Sequence, residues 1–304
     1  MNDLETFSFE QVGRVDRRTG ISYDEFIQDY LLPGIPVVLT DATQDWPAMS
    51  KWSPEYLQRH YGQRSVKLRD FPDREIDLGS YMDMVIASSV ENPTPYLWGI
   101  DIENLFPELM ADMQPAIKFA EPDRIQSRLH PLRFRIERTT AMLIGGAGAR
   151  FPLHFDLLHT LGFVTQVYGD KEFTIFPPSQ SKYLYPNPKA PNRSLVTDIA
   201  HPDLEKCPLF KQSKPLRTVV RKGETIFHPS GWWHTTRILT PSIAIVRSTV
   251  SPNIWSQFVT AYYGPAMRKA APMKTRLKES YLRALHPLMS LLEFFHDLEY
   301  KANS

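Results

Sequence analysis

Residues 139–178 read TTAMLIGGAGARFPLHFDLLHTLGFVTQVYGDKEFTIFPP. Four short runs, TTAMLIG, LHFDLLH, LGFVTQVYG and KEFTIFPP, are rich in β-branched and aromatic residues and separated by turn signals, which favours strands over helices. The texture continues in LRTVVRKG, ETIFHPS, WWHTTRI and SIAIVRSTV. Eight short strands at this spacing predict an antiparallel barrel or jelly roll.

Upstream, the pattern is helix, strand, helix. Ser22 has the form of an N-cap before YDEFIQDYLL, Pro36 starts the strand PVVLT, and Ser53-Pro54 opens the helix PEYLQRHYG. A further helix is expected near residues 79–88. Downstream of Pro252, Leu282, Leu285, Leu288, Met289, Leu292 and Phe295 recur at helical steps, with Pro287 expected to kink or divide the helix. The chain is therefore read as one elaborated domain: an α/β preface over residues 1–135 packed on the barrel, a β core over 136–251, and C-terminal helices over 252–304.

The 304 residues carry 35 Lys plus Arg against 34 Asp plus Glu, and a net charge of +1 argues against nucleic acid as a partner. Cys207 is the single cysteine, which rules out an intramolecular disulfide or a cysteine-built metal cluster and fits a reducing, cytoplasmic location. The N-terminus lacks an apolar signal region, and no uncharged run approaches the roughly 18 residues of a membrane span. Any metal chemistry must use histidine and carboxylate.

His154-Phe155-Asp156 supplies both types. On a strand, side chains at i and i+2 share a face, so His154 and Asp156 can reach one ion while Phe155 faces the opposite layer. His234, in GETIFHPSGWWHTT, is the candidate third ligand. Two histidines and one carboxylate form the facial triad that most often serves non-haem Fe(II). An isolated His-x-Asp also recurs by chance. His159 is expected on the other face or in a loop, His228 is expected to face away from the metal, and Trp232 and Trp233 are expected in the core.

Three segments in order give these residues their context. LIGGAGARFPLHFD, TQVYGDKEFTIFPPSQSKYLYP and GETIFHPSGWWHTT resemble successive motifs of the jumonji-C, cupin-like hydroxylases, and PGIPVVLTDATQDWPAMSKWSPEYL resembles their N-terminal preface. The resemblance covers roughly residues 20–250 and extends to factor-inhibiting-HIF-type asparaginyl hydroxylases and jumonji lysyl hydroxylases. The 17-residue step from His154 to Lys171 is more similar to the lysyl branch. The resemblance implies a mainly β fold, a double-stranded β-helix (jelly-roll, cupin-like) barrel with an α/β N-terminal preface and C-terminal helices. It also implies His154, Asp156 and His234 as Fe(II) ligands, Lys171 as the partner of the distal carboxylate of 2-oxoglutarate, and Thr160 as a further co-substrate contact.

Two positions depart from the pattern. Phe151 stands where a Thr or Ser usually donates to the co-substrate, and Arg247 stands where an Asn often helps hold it. Arg247 lies 13 residues after His234, a spacing similar to that of the 2-oxoglutarate-gripping arginine of other oxygenase branches. It is read as a co-substrate ligand beside or instead of Lys171, or as part of a structural ion pair. The activity so implied is a 2-oxoglutarate-dependent dioxygenase hydroxylating a C–H bond of a protein, peptide, amino acid or small molecule, with succinate and carbon dioxide as co-products. A cupin-type metal enzyme without 2-oxoglutarate and a non-catalytic binding protein remain as alternatives. The C-terminal stripe is a candidate homodimer seam.

Overall fold

The computed structural model describes residues 6–69, 73–117, 120, 139–264 and 269–303. In chain order its strands are β1 (Gly13–Arg14), β2 (Asp16–Arg18), β3 (Val37–Leu39), β4 (Ser65–Leu68), β5 (Arg74–Asp77), β6 (Leu97–Asp101), β7 (Thr139–Gly145), β8 (Arg150–His154), β9 (Leu161–Tyr168), β10 (Lys171–Phe176), β11 (Pro186–Asn187), β12 (Ala190–Ser194), β13 (Leu216–Val220), β14 (Thr225–His228), β15 (Trp233–Ile238) and β16 (Ser242–Thr249). Two seven-stranded sheets result, ordered β1-β13-β10-β15-β8-β12-β11 and β2-β3-β14-β9-β16-β7-β6. Every one of the eight runs picked out in the sequence contributes a strand. Their antiparallel pairing and face-to-face stacking give the jelly-roll, cupin-like architecture.

Alternation of side chains sorts the residues into three layers. Val38, Val164, Phe173, Ile175, Ile226 and Ala244 point inward and pack between the sheets. Val37, Phe163, Phe227 and Ile245 point the other way, against the preface and the C-terminal helices. Leu153, Phe176 and Trp233 cover the outside of the first sheet, together with Phe9 and Phe210. The preface is woven into the barrel: β1 pairs with β13, β3 with β14 and β6 with β7. The boundary expected at 135/136 lies outside the described residues.

The helices begin where the sequence places their caps. Ser22 and Glu25 form a reciprocal capping box at Tyr23–Phe26, Ser53 accepts from the Tyr56 N–H at 3.1 Å ahead of Pro54–Tyr61, and Asp77 caps Leu78–Ile86. Near the C-terminus, helices Pro272–Ala284 and His286–Asn303 divide beside Pro287, which falls in the first turn of the second helix, the position proline tolerates. The expected stripe divides as well. Leu282 and Met289 are buried against the domain, whereas Leu288 and Phe295 are exposed. No helix among the described residues is long and apolar enough to cross a membrane.

One close approach fixes the floor of the barrel. Gly162 pairs with His228, and a Cβ at Gly162 would fall inside the His228 imidazole. Gly162→Ala is therefore expected to lower stability by about 1–3 kcal/mol through overpacking, with most of the loss recovered when His228→Ala is added. Melting temperatures of the two variants check this, and an unchanged value for Gly162→Ala would contradict it.

Candidate metal centre

Strands β8 and β15 are neighbours, and their pairing sets His154 directly opposite His234. The next paired position joins Thr236 to Phe151, so two steps on β15 span three on β8. The extra residue is a bulge, and it brings Phe151 and His154 onto one face although they are three apart. Their rings meet at 4.6 Å. The Thr235 hydroxyl donates to the Phe151 carbonyl at 2.6 Å, which fixes the bulged backbone.

The two histidine rings lie 4.2 Å apart. Nδ1 of His154 is 2.9 Å from the Pro152 carbonyl, and Nδ1 of His234 is 3.1 Å from the Trp232 carbonyl. A carbonyl only accepts, so both imidazoles carry a proton on Nδ1, which leaves Nε2 of each as the atom available to a metal. Burial and the neighbouring His234 push His154 well below the ordinary histidine range and keep it neutral. Asp156 completes the set: one ligand atom from each of His154, Asp156 and His234 fits within a 4.8 Å span, and Asp156 Oδ1 is 3.9 Å from His154 Nε2. Two imidazoles and a carboxylate could hold a divalent first-row ion.

The sequence reading places Asp156 inside a strand, but β8 ends at His154 and Asp156 lies just past it. The shared facing survives because Phe155 N–H donates to the Asn192 carbonyl at 3.0 Å and keeps the backbone extended, with the Phe155 ring turned out against Trp233 at 4.9 Å. The expectation for His228 is overturned. On β14, Ile226 packs inside the barrel, so His228 two residues on also points inward. It is buried, its ring is 4.5 Å from that of His234, and its Nδ1 is 3.9 Å from Asp156 Oδ2. Burial holds it well below the usual histidine range. His159 occupies a left-handed turn residue (φ 55°) outside the triad, and Trp232 and Trp233 pack in the core as expected.

The triad opens into a cavity of about 480 Å³ whose apolar wall includes Leu143, Val164, Phe173 and Val246. Lys171, at the start of β10, is fully buried and lines it. Its ammonium donates to the Tyr96 hydroxyl at 3.0 Å, and no carboxylate among the described residues pairs with it. Burial alone pulls this lysine down to about 7. A buried cation with one neutral partner, in the same cavity as three metal-ligand side chains, fits the distal carboxylate of a small dicarboxylate such as 2-oxoglutarate.

Tyr96 is the residue that sequence reasoning missed. The Tyr81 hydroxyl lies 2.7 Å from the Pro95 carbonyl and 2.9 Å from the Ile144 carbonyl, and accepts from the Leu97 N–H at 3.2 Å. Tyr96 is thereby clamped on both sides. Desolvation pushes its phenol upward, tempered by a hydrogen bond with Thr236, so it stays protonated as a donor. Phe151 meets Tyr96 edge-on at 5.6 Å, so a hydroxyl from the preface lies close to the position where Phe151 has none.

Two expected co-substrate contacts are not brought to the cavity. Val246 and Ser248 line it, so Arg247 between them faces the outer layer, its guanidinium 5.1 Å from the Trp46 ring. Thr160 is buried ahead of β9 and is not among the lining residues.

The profile of the cupin-like domain family matches residues 23–257. Lysine-specific demethylase JMJ30 of Arabidopsis thaliana is 29% identical over 246 residues, 76% of this chain and 54% of that protein. Arginine-specific demethylase JMJ20 of the same plant is 27% identical over 266 residues, 77% of this chain and 56% of that protein. The bifunctional arginine demethylase and lysyl-hydroxylase psr-1 of Caenorhabditis briggsae is 26% identical over 234 residues, 74% of this chain and 58% of that protein. The chain thus spans about half the length of these relatives. With a family match over most of its length, two stacked seven-stranded sheets and a His-Asp-His cluster between them, the chain belongs to the cupin-like domain family.

Proposed function

We propose that the protein is an Fe(II)- and 2-oxoglutarate-dependent oxygenase that hydroxylates a C–H bond of its substrate. The observation that carries this reading is the coincidence, in one cavity, of a His-Asp-His set and a buried lysine that has no carboxylate partner among the described residues. A metal enzyme that did not use 2-oxoglutarate would have no use for Lys171, whose burial costs stability.

His154, Asp156 and His234 would hold the iron on one face and leave its other positions open. Lys171 and Tyr96 would receive the distal carboxylate of the co-substrate, the lysine supplying charge and the phenol direction. Iron and 2-oxoglutarate, when bound, supply the oxidation: dioxygen gives one atom to succinate as carbon dioxide is lost and the other to the substrate C–H bond. Leu143, Val164, Phe173 and Val246 keep that chemistry from water. Several relatives are named as demethylases, which is the same hydroxylation at an N-methyl carbon. A cytoplasmic location belongs to the same proposal, as does a homodimer. The dimer is supported by the exposed stripes Met273, Leu277 and Tyr281 on one C-terminal helix and Leu288, Leu291 and Phe294 on the next.

Spectroscopy with product release, melting temperatures, calorimetry and sedimentation test this reading. Anaerobic Fe(II) protein is expected to develop a weak visible charge-transfer band on addition of 2-oxoglutarate and to release succinate when oxygen is admitted; His154→Ala is expected to abolish metal binding. Absence of both signals in the parent protein would contradict the assignment. Lys171→Met is expected to stabilise the ligand-free protein at neutral pH, by about 1–4 kcal/mol, and to remove the thermal shift given by 2-oxoglutarate. A lower melting temperature for that variant would contradict the unpaired burial of the ammonium. Because free Lys171 titrates near 7 and only its ammonium binds a carboxylate, co-substrate binding above that pH must take up a proton. Calorimetric affinity should therefore fall by up to about tenfold per pH unit on the alkaline side, and a flat profile would contradict the role of Lys171. Sedimentation at twice the chain mass would support the dimer, and a monomer alone would remove it.

A further inference from the structure

The lining of the metal cavity has an uneven charge. Among the described lining residues, Arg69, Lys171 and Arg193 are cationic, and Asp156 is the one carboxylate. On the oxygenase reading above, the two positive charges of the metal meet the two negative charges of the co-substrate, and Asp156 offsets Lys171. The guanidiniums of Arg69 and Arg193 are left over.

Neither arginine is ion-paired with a described residue. Arg69, following β4, lies with its guanidinium 4.6 Å from the Trp98 ring. Trp98 meets Phe151 edge-on at 5.5 Å, and Phe151 meets His154 at 4.6 Å, so a row of aromatic contacts runs from Arg69 to a metal ligand. Arg193 approaches from the other wall. It sits on β12 directly opposite His154, and opposed residues of an antiparallel pair project to the same face. Its neighbour Asn192 is already committed, with Nδ2 donating to the Phe155 carbonyl at 3.2 Å.

Arginine presents a planar fork of donors matched to a carboxylate. We propose that the prime substrate carries a carboxylate, received by Arg69 and Arg193 beside the C–H bond to be oxidised. This rests on the oxygenase reading and sharpens it by naming the charge of the substrate. A methylated lysine or arginine side chain, the kind of group acted on by the relatives named as demethylases, is a cation and would enter against two like charges. A carboxylate of this kind comes either from an acidic residue of a peptide or from a free dicarboxylic acid.

The test uses the full chain loaded with Mn(II) and N-oxalylglycine, an unreactive 2-oxoglutarate analogue. Two fluorescent peptide pools of equal length, one with Asp or Glu and one with Lys or Arg flanking a degenerate central residue, are titrated by polarisation, and free glutamate is titrated as the small-acid arm. The acidic pool, or free glutamate in its place, is expected to bind at least about tenfold more tightly than the basic pool, with the margin shrinking at high salt. The preference is expected to vanish in R69Q/R193Q, whose melting temperature establishes that it folds. Tighter binding by the acidic pool supports a peptide source, and binding by glutamate alone supports a free acid. A basic preference, equal binding, or binding of neither pool nor glutamate overturns the inference when Mn(II) and N-oxalylglycine still raise the melting temperature of the parent. If that thermal shift is itself missing, the oxygenase reading fails instead.

Discussion

The pairing of β8 with β15, with one extra residue on β8, is the constraint on which the site depends. A regular ladder opposite His234 would bring His154 inward but turn Phe151 outward. The bulge brings both to the cavity, and the Thr235 hydroxyl on the Phe151 carbonyl holds it in that form. From this pairing follow the contact between the two histidine rings and the aromatic row through Phe151 to Tyr96 and Trp98. It also sets the position of Arg193 across from His154. Bulges recur beside active sites because they re-aim side chains without breaking the sheet. Here the aim is set by the protein itself, since backbone carbonyls hold Nδ1 of both histidines.

Electrostatics then separates the cavity into zones. His154 and His228 are kept neutral by burial, so no proton need be displaced from them for a metal to bind near neutral pH. Lys171 is a buried amine whose polar partner among the described residues is a phenol, an arrangement that weakens the barrel and favours a ligand able to compensate it. The remaining positive charge of the lining belongs to Arg69 and Arg193. One barrel thus holds a His-Asp-His cluster, a buried lysine and two arginines.

Much of this was legible in the sequence. The eight strand runs, the caps at Ser22 and Ser53 and the break beside Pro287 follow from local periodicity and turn chemistry, and the structure has each of them. The triad followed from His154 and Asp156 two apart and from His234 ahead of a strand. Arg247 was misread because spacing from a motif carries no information about strand parity; the alternation of Val246 and Ser248 would have turned it outward. The same parity, counted from Ile226, would have brought His228 inward. Tyr96 had no signal of that kind, since it reaches Lys171 across 75 residues of chain through a clamp built by Tyr81. Contacts of that separation come from topology, which local pattern does not specify.

The central claim is that one cavity was built to take a metal on His154, Asp156 and His234 and a dicarboxylate on Lys171 and Tyr96. A crystal structure of the protein grown with Mn(II) and N-oxalylglycine tests it most directly, with anomalous scattering to locate the metal. The account predicts manganese bound by those three side chains, His228 outside its coordination sphere, and the distal carboxylate of the analogue on the Lys171 ammonium and the Tyr96 hydroxyl. Manganese bound elsewhere, or the analogue's distal carboxylate turned away from Lys171, would contradict it.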